Sequence, residues 1–279
     1  MPTASLYHDF FNFLDHLAGS RSDPWSLYEE YYLTPHRAVL TAWWEQCLGR
    51  PVEVWEGRVR DVLVEHYAGI RAMLAEAKVE ADAQEALRRC HALLPAPEPT
   101  VNLLIGFFSP DGFVLQVAGE WQIGLGLERL GDARRVPLLV AHEYAHWYRR
   151  SLGLPQAQNL GERLIEEGLA TYLSAQAYPE RSLAEQLFIS ESRLATLRAY
   201  RAALLDSARR NFDESEPAAI QKFLYLHAPG RELAPRPGGY VGHELIAEYL
   251  RGHSGELRAL FAEPANRLLA EIGLKAASG

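Results

Sequence analysis

Cysteine is nearly absent from this chain of 279 residues, which holds only Cys47 and Cys90. Two cysteines provide neither a framework of several disulfides nor a zinc site built from four thiolates, so both kinds of scaffold are excluded. The same scarcity is typical of proteins in a reducing compartment, and we expect a cytoplasmic location. The acidic positions Asp9 and Asp15 in the amino-terminal segment argue against a signal peptide.

The sequence also lacks an excess of positive charge and a long apolar run. Its 28 lysines and arginines stand against 36 aspartates and glutamates, which gives a net charge of −8. Because nonspecific binding to nucleic acid depends on a basic excess that displaces counterions, we expect no nucleic-acid partner. No uncharged stretch reaches the length of about 18 residues that a membrane helix needs, so we expect no membrane span.

The most informative motif that is present is His142-Glu143-Tyr144-Ala145-His146. An α-helix advances by about 100° per residue, so His142 and His146 lie one above the other on a single face. Two neutral imidazoles held in this way are suited to a zinc ion. Glu143 lies beside them, where it can act as the general base toward a metal-activated water.

A catalytic zinc site has three protein ligands and one open position, so the two histidines need a partner. Glu167, which opens the run Glu-Gly-Leu-Ala-Thr-Tyr, is the candidate for the third ligand. It falls on a predicted helix from about Leu160 to Tyr178, with Asn159 as the N-cap. Glu166 is the rival ligand; it points about 100° away, and its other possible role is a salt bridge.

With this spacing, the H-E-x-x-H motif and the run that starts at Glu167 resemble the gluzincin zinc metallopeptidases. The finer resemblance is to a family of predicted bacterial zinc-dependent proteases with H-E-Y-x-H, an E-G-L-A helix and a later G-Y-x-x-G, for which this chain has the form Gly239-Tyr240-Val241-Gly242, shorter by one residue. It covers roughly residues 100–255. The resemblance implies a zincin-like fold, Zn²⁺ bound by His142, His146 and Glu167, and a peptide or protein substrate.

Neighbouring metallopeptidase groups fit less well. Metzincins carry a glycine three residues and a histidine six residues after the second ligand, whereas Arg149 and Leu152 occupy these positions here. Metzincins also need a methionine turn after the zinc helix, and the only methionines are Met1 and Met73. The metzincin group is therefore excluded.

Residues 239–243 supply two candidates for a further catalytic role. A peptidase needs a hydrogen-bond donor for the oxyanion that develops on the tetrahedral intermediate. Gluzincins take this donor from a tyrosine or a histidine placed after the third ligand, and the resemblance implies such a role here. Tyr240 is the first choice because it matches the family element, and His243 is the second.

The pattern of apolar residues predicts an α+β fold that is predominantly helical. We expect residues 1–95 to form a helical amino-terminal region. The resemblance implies that residues 100–279 form the zincin-like catalytic region, with a small antiparallel sheet and the H-E-x-x-H helix. Strands are predicted near 101–108, 113–117 and 121–127. The last of these is a candidate edge strand that could pair with an extended substrate, or else an ordinary strand of the sheet.

These observations predict a zinc-dependent peptide-bond hydrolase in which Glu143 is the general base. The alternative is a non-proteolytic zinc-binding module with a regulatory or partner-binding role. Zinc content alone does not separate the two classes, since both bind the metal. Cleavage of peptides by the intact protein, compared with a variant of Glu143, does separate them.

Overall fold

A computed structural model describes residues 3–107, 111–225, 237–253 and 255–277 of the chain. Its four strands within these residues are β1 Thr3–Ser5, β2 Val101–Leu104, β3 Gly112–Val117 and β4 Glu120–Gly126. The three strands predicted from the sequence are thus confirmed, although Phe108 lies outside the described residues. A further strand, β1, falls within the amino-terminal region that was predicted to be helical.

Helices dominate the described residues, which confirms the predicted α+β class. In chain order the α-helices are α1 Tyr7–Gly19, α2 Pro24–Tyr28, α3 Thr34–Ala42, α4 Glu56–Arg60, α5 Ala68–Glu76, α6 Val79–Leu93, α7 Val136–Ser151, α8 Leu160–Ala177, α9 Leu183–Gln186, α10 Glu191–Ala199, α11 Arg201–Arg210, α12 Pro217–Tyr225, α13 Pro237–Leu250, α14 Leu257–Ala262 and α15 Ala265–Ala277. Two π-helical turns, Glu29–Leu33 and Trp43–Cys47, extend α2 and α3. No helix in the described part of the chain combines the length and the apolar character of a membrane span.

The chain divides into two compact units. The amino-terminal unit comprises Met1–His91 and Ala96–Trp147, and therefore contains the whole sheet. The carboxy-terminal unit comprises Ala92–Pro95 and Tyr148–Gly279, and within the described residues it is built from helices.

The sheet of the amino-terminal unit has the strand order β1-β2-β4-β3. β1 and β2 are parallel, β2 and β4 are parallel, and only β3 and β4 are antiparallel. The prediction of an antiparallel sheet is therefore wrong, and the sheet is mixed. The tight turn at Ala118 and Gly119, both with positive φ, forces β3 and β4 to be antiparallel. Longer connections join the other neighbouring strands and allow parallel pairing.

The edge of the sheet also differs from the prediction. The segment Trp121–Leu127 was the candidate edge strand, but β4 pairs with β2 on one side and β3 on the other. Its residues from Ile123 to Gly126 are buried, as an interior strand requires. The strand at the edge is β3, so any substrate that pairs with the sheet beside β4 would pair with β3 instead.

Aromatic side chains attach the helices of the amino-terminal unit to this sheet. Trp43 and Trp44 are completely buried in the second π-helical turn. Trp43 packs against β4, where a Cβ atom at Gly124 would come within 2.6 Å of its Cε3 atom. Gly124 is therefore needed for the indole to reach the sheet.

Two helices carry the zinc-binding motif, and the second of them, α8, has the predicted bounds to within one residue. α7 starts at Val136 with Pro137 in its first turn, where the missing N–H costs nothing. α8 starts after Asn159, whose Oδ1 accepts a hydrogen bond of 2.9 Å from the backbone N–H of Glu162. The predicted N-cap is therefore confirmed.

In the carboxy-terminal unit, α8 crosses α13 with no side chain between the two backbones. A Cβ atom at Gly242 would overlap the carbonyl oxygen of Leu164 and lie 2.7 Å from the nitrogen of Gly168. A Cβ atom at Gly168 would in turn overlap the backbone of Gly242 and lie 2.8 Å from Ile246 Cγ1. Both positions must be glycine for the helices to approach this closely.

Replacement of Gly242 by alanine should destabilise the protein by about 3 kcal/mol, because rigid backbone cannot move away from the added methyl group. Gly239→Ala on the same helix is the matched control, since its Cβ would meet only Leu187 Cδ2, at 3.2 Å. That flexible side chain can shift, so we expect a loss below about 1 kcal/mol. Denaturant unfolding measures both values, and equal losses would contradict the close helix crossing.

Candidate metal centre

The H-E-x-x-H motif lies in the middle of α7, where His142 and His146 are both half-buried. Their Nε2 atoms are 3.3 Å apart. Two nitrogens bound to one tetrahedral zinc, each about 2.0–2.1 Å from the metal, would be about 3.4 Å apart. The two imidazoles thus already have the spacing of a chelating pair.

The structure brings Glu167 of α8 to this histidine pair. One ligand atom from each of His142, His146 and Glu167 lies within 4.8 Å of the other two. We call these three residues the ligand set. Two imidazole nitrogens and one carboxylate oxygen are the donors of a catalytic zinc site that keeps a position open for water or substrate. The donor chemistry and the spacing therefore both fit zinc.

Glu166, the rival ligand, is turned toward arginines. Its side chain is 4% exposed, and its Oε2 atom lies 3.4 Å from Arg163 Nη1 and 3.9 Å from Arg150 Nη2. A buried carboxylate needs such partners, because burial without them carries a large desolvation penalty. These contacts give Glu166 the salt-bridge role that was its other possibility from the sequence.

Arg163 also contacts the ligand set. Its Nη2 atom lies 3.3 Å from Oε1 of Glu167, one turn further along α8. Burial opposes the charge on Arg163, but Glu167, Tyr225 and Glu166 together outweigh this effect and raise its pKa. The arginine therefore stays charged and holds the ligand carboxylate in position. The sequence contains a signal for these contacts, since Arg163 precedes the two glutamates by three and four residues on one helix.

Glu143 is buried next to the start of the edge strand. Only 7% of its surface is exposed. A Cβ atom at Gly112 would lie 2.5 Å from Glu143 Oε1, so the absent side chain makes room for the carboxylate. No sequence signal marked Gly112 as part of the site, because its position depends on the register between β3 and β4.

The charge of Glu143 reaches one further side chain. Burial, and after it the negative charge of Glu143, raises the pKa of the Cys47 thiol to about 12. Cys47 is therefore a neutral thiol at physiological pH and a poor nucleophile or metal ligand. This agrees with the sequence, whose two cysteines are too few for a zinc site built from thiolates.

Tyr240 and His243 both lie on α13. Glu244 of the same helix and Arg198 of α10 act electrostatically on both, and Arg201 of α11 acts on Tyr240. Burial and the carboxylate of Glu244 raise the pKa of Tyr240 to about 12, so its hydroxyl keeps its proton. Arg201 Nε donates a hydrogen bond of 2.6 Å to Glu244 Oε2. Burial lowers the pKa of His243, and Arg198 adds to this effect. The oxyanion role of either residue stays a prediction.

Comparison with known proteins gives one match. A family model described as a predicted Zn-dependent protease matches residues 113–270, which is more than half of the chain. No curated protein and no solved structure matches the chain. The matched region contains the H-E-x-x-H motif, Glu167 and the glycine–tyrosine segment at residues 239–242, and so the family resemblance inferred from these residues is confirmed.

Purified protein should hold one zinc ion per chain, and Glu167→Gln should greatly reduce this content, because two histidines cannot complete the coordination shell. Glu166→Gln is the matched control from the adjacent position, and it should retain the metal. Elemental mass spectrometry after dialysis measures the zinc-to-protein ratio. If Glu166→Gln released zinc while Glu167→Gln kept it, the choice of third ligand would be wrong.

Proposed function

Because the chain belongs to this family of predicted zinc-dependent proteases, we propose that it is a zinc metallopeptidase of the gluzincin type. Its substrates are peptides or proteins, and the reaction is hydrolysis of a peptide bond. One observation carries the proposal: one donor atom from each of His142, His146 and Glu167 lies within 4.8 Å of the other two. The histidines lie on α7, which also bears Glu143, and Glu167 lies on α8.

The chain supplies both the ligands and the base for this reaction. His142, His146 and Glu167 would hold the zinc ion, which when bound supplies a Lewis acid that polarises the substrate carbonyl and acidifies water. Glu143 accepts the proton of the attacking water on its carboxylate and delivers it to the nitrogen of the departing amine. Its burial against Gly112 fixes the carboxylate and limits competing contact with solvent.

The donor for the developing oxyanion is proposed to come from α13. Tyr240 is the first candidate, since a hydroxyl with a pKa of about 12 remains a donor throughout the neutral range. His243 is the second, since its lowered pKa keeps the imidazole neutral, with one N–H to donate. Glu244 stabilises the protonated form of Tyr240, which is the form that donates.

Glu143→Gln should keep zinc but lose cleavage of a mixed peptide library, because the amide cannot accept the proton of the attacking water. Glu76→Gln, at an exposed position of α5, is the matched control and should cleave like the wild type. Mass spectrometry of the digested library measures cleavage. Undiminished turnover in Glu143→Gln would refute the mechanism, and a wild-type protein that binds zinc but cleaves nothing would favour the non-proteolytic module.

Tyr240→Phe should lower kcat by about 10²-fold or more, which is the usual scale for the loss of one oxyanion donor. Its zinc content and its unfolding should stay close to those of the wild type. His243→Gln tests the second candidate in the same assay. The variant with the larger fall in kcat identifies the donor. Normal turnover in Tyr240→Phe would remove Tyr240 from the mechanism.

A further inference from the structure

The edge strand β3 directs alternate backbone groups away from the sheet. The carbonyl oxygen of Asp111 accepts a hydrogen bond of 3.0 Å from the N–H of Gly126, which identifies this pair as hydrogen-bonded. In an antiparallel ladder hydrogen-bonded and non-hydrogen-bonded pairs alternate. The backbone N–H and C=O groups of Gly112, Val114 and Gln116 therefore point outward, along the free edge.

The last of these outward positions is already occupied. The side-chain amide of Gln46 donates a hydrogen bond of 2.8 Å to the carbonyl oxygen of Gln116. Its Oε1 accepts a hydrogen bond of 2.8 Å from the N–H of Gln116. One amide thus satisfies both outward groups of Gln116, as the backbone of a paired strand would. Within the described residues, Gly112 and Val114 have no comparable partner on this edge.

Gln46 is held in place by a rigid support. It belongs to the π-helical turn Trp43–Cys47, in which Trp43 and Trp44 are completely buried. Trp43 in turn packs against Gly124 in the interior strand β4. Single π-helical turns are rare and occur often at functional sites. The turn directs the exposed Gln46 side chain at the edge strand while its neighbours anchor it in the core.

We propose, on the basis of the peptidase function proposed above, that Gln46 is a specificity-determining residue that ends the substrate-pairing edge of β3 after Val114. The site of cleavage lies near Gly112, which touches the carboxylate of Glu143. From there to Gln116 the strand advances by about 13 Å. An extended substrate can thus pair with β3 over about three residues before it meets the Gln46 amide.

The direction of the substrate decides which of its ends is limited. Antiparallel pairing is the more stable arrangement per residue, and the reciprocal bonding of Gln46 to Gln116 has the same two-way pattern. An antiparallel substrate runs from Gln116 toward Gly112, so its amino-terminal side lies along β3. Residues beyond about the third on this side must displace Gln46 or turn away from the sheet.

The test uses the zinc-loaded enzyme and compares two peptide substrates that share one cleavage sequence and differ in length. The first has three residues before the scissile bond and the second has six, and kcat/KM is measured for both. In Gln46→Ala, the long-to-short ratio of kcat/KM should rise about tenfold over wild type, mainly through a lower KM, because the two bonds to Gln116 become available. Gln46→Met, which keeps the length but not the amide, should give the same rise.

Glu45→Ala is the matched control, since Glu45 is the exposed neighbour of Gln46 on the same turn, and its ratio should equal that of wild type. Hydrogen exchange supplies a readout independent of activity: the Gln116 amide should exchange faster in both Gln46 variants. An unchanged ratio in an active enzyme would overturn the role of Gln46 alone. A wild-type protein that cleaves neither peptide would overturn the peptidase function, and this inference with it.

Discussion

The carboxy-terminal unit depends on the contact in which α8 and α13 cross backbone to backbone. Gly168 and Gly242 each occupy the place that a Cβ atom of the other would need. Side chains can adopt new rotamers, but a backbone in a helix cannot, so this contact fixes the rotation of α8 about its axis. Glu167 precedes Gly168 directly, so the crossing sets the direction in which its side chain leaves the helix, and Arg163 then holds the carboxylate.

The charges on α8 follow from this fixed rotation. Two adjacent glutamates cannot leave water without compensation, and Arg163 lies within 3.4 Å of both. Arg150 adds a contact to Glu166, 3.9 Å away. A carboxylate has two oxygens, so Glu167 can contact Arg163 through one and a metal through the other. The arginines thus make Glu166 a structural acid and leave Glu167 one oxygen with which it can bind a metal.

The sequence predicted best those parts of the molecule that depend on neighbours in the chain. Helical periodicity placed His142 and His146 on one face, and local capping chemistry placed Asn159 at the start of α8. The sheet was predicted less well, because pairing between distant strands such as β1 and β2 leaves no local signal. The roles of Gly112 and Gln46 have no local signal for the same reason, since both residues act through the position of β3.

The proposed residues of the metal centre and the proposed specificity residue Gln46 differ in whether the family match contains them. The family match begins at residue 113, so it contains the ligand set and Glu143 but neither Gly112 nor Gln46. In the proposed peptidase, the residues that cleave the bond therefore lie in the matched region, whereas the proposed end of the substrate-pairing edge is a helical turn outside it. On this proposal, a change at Gln46 alters the length of peptide that fits along β3 without moving any residue of the ligand set. Cleavage and substrate length would then be set by separable parts of the chain.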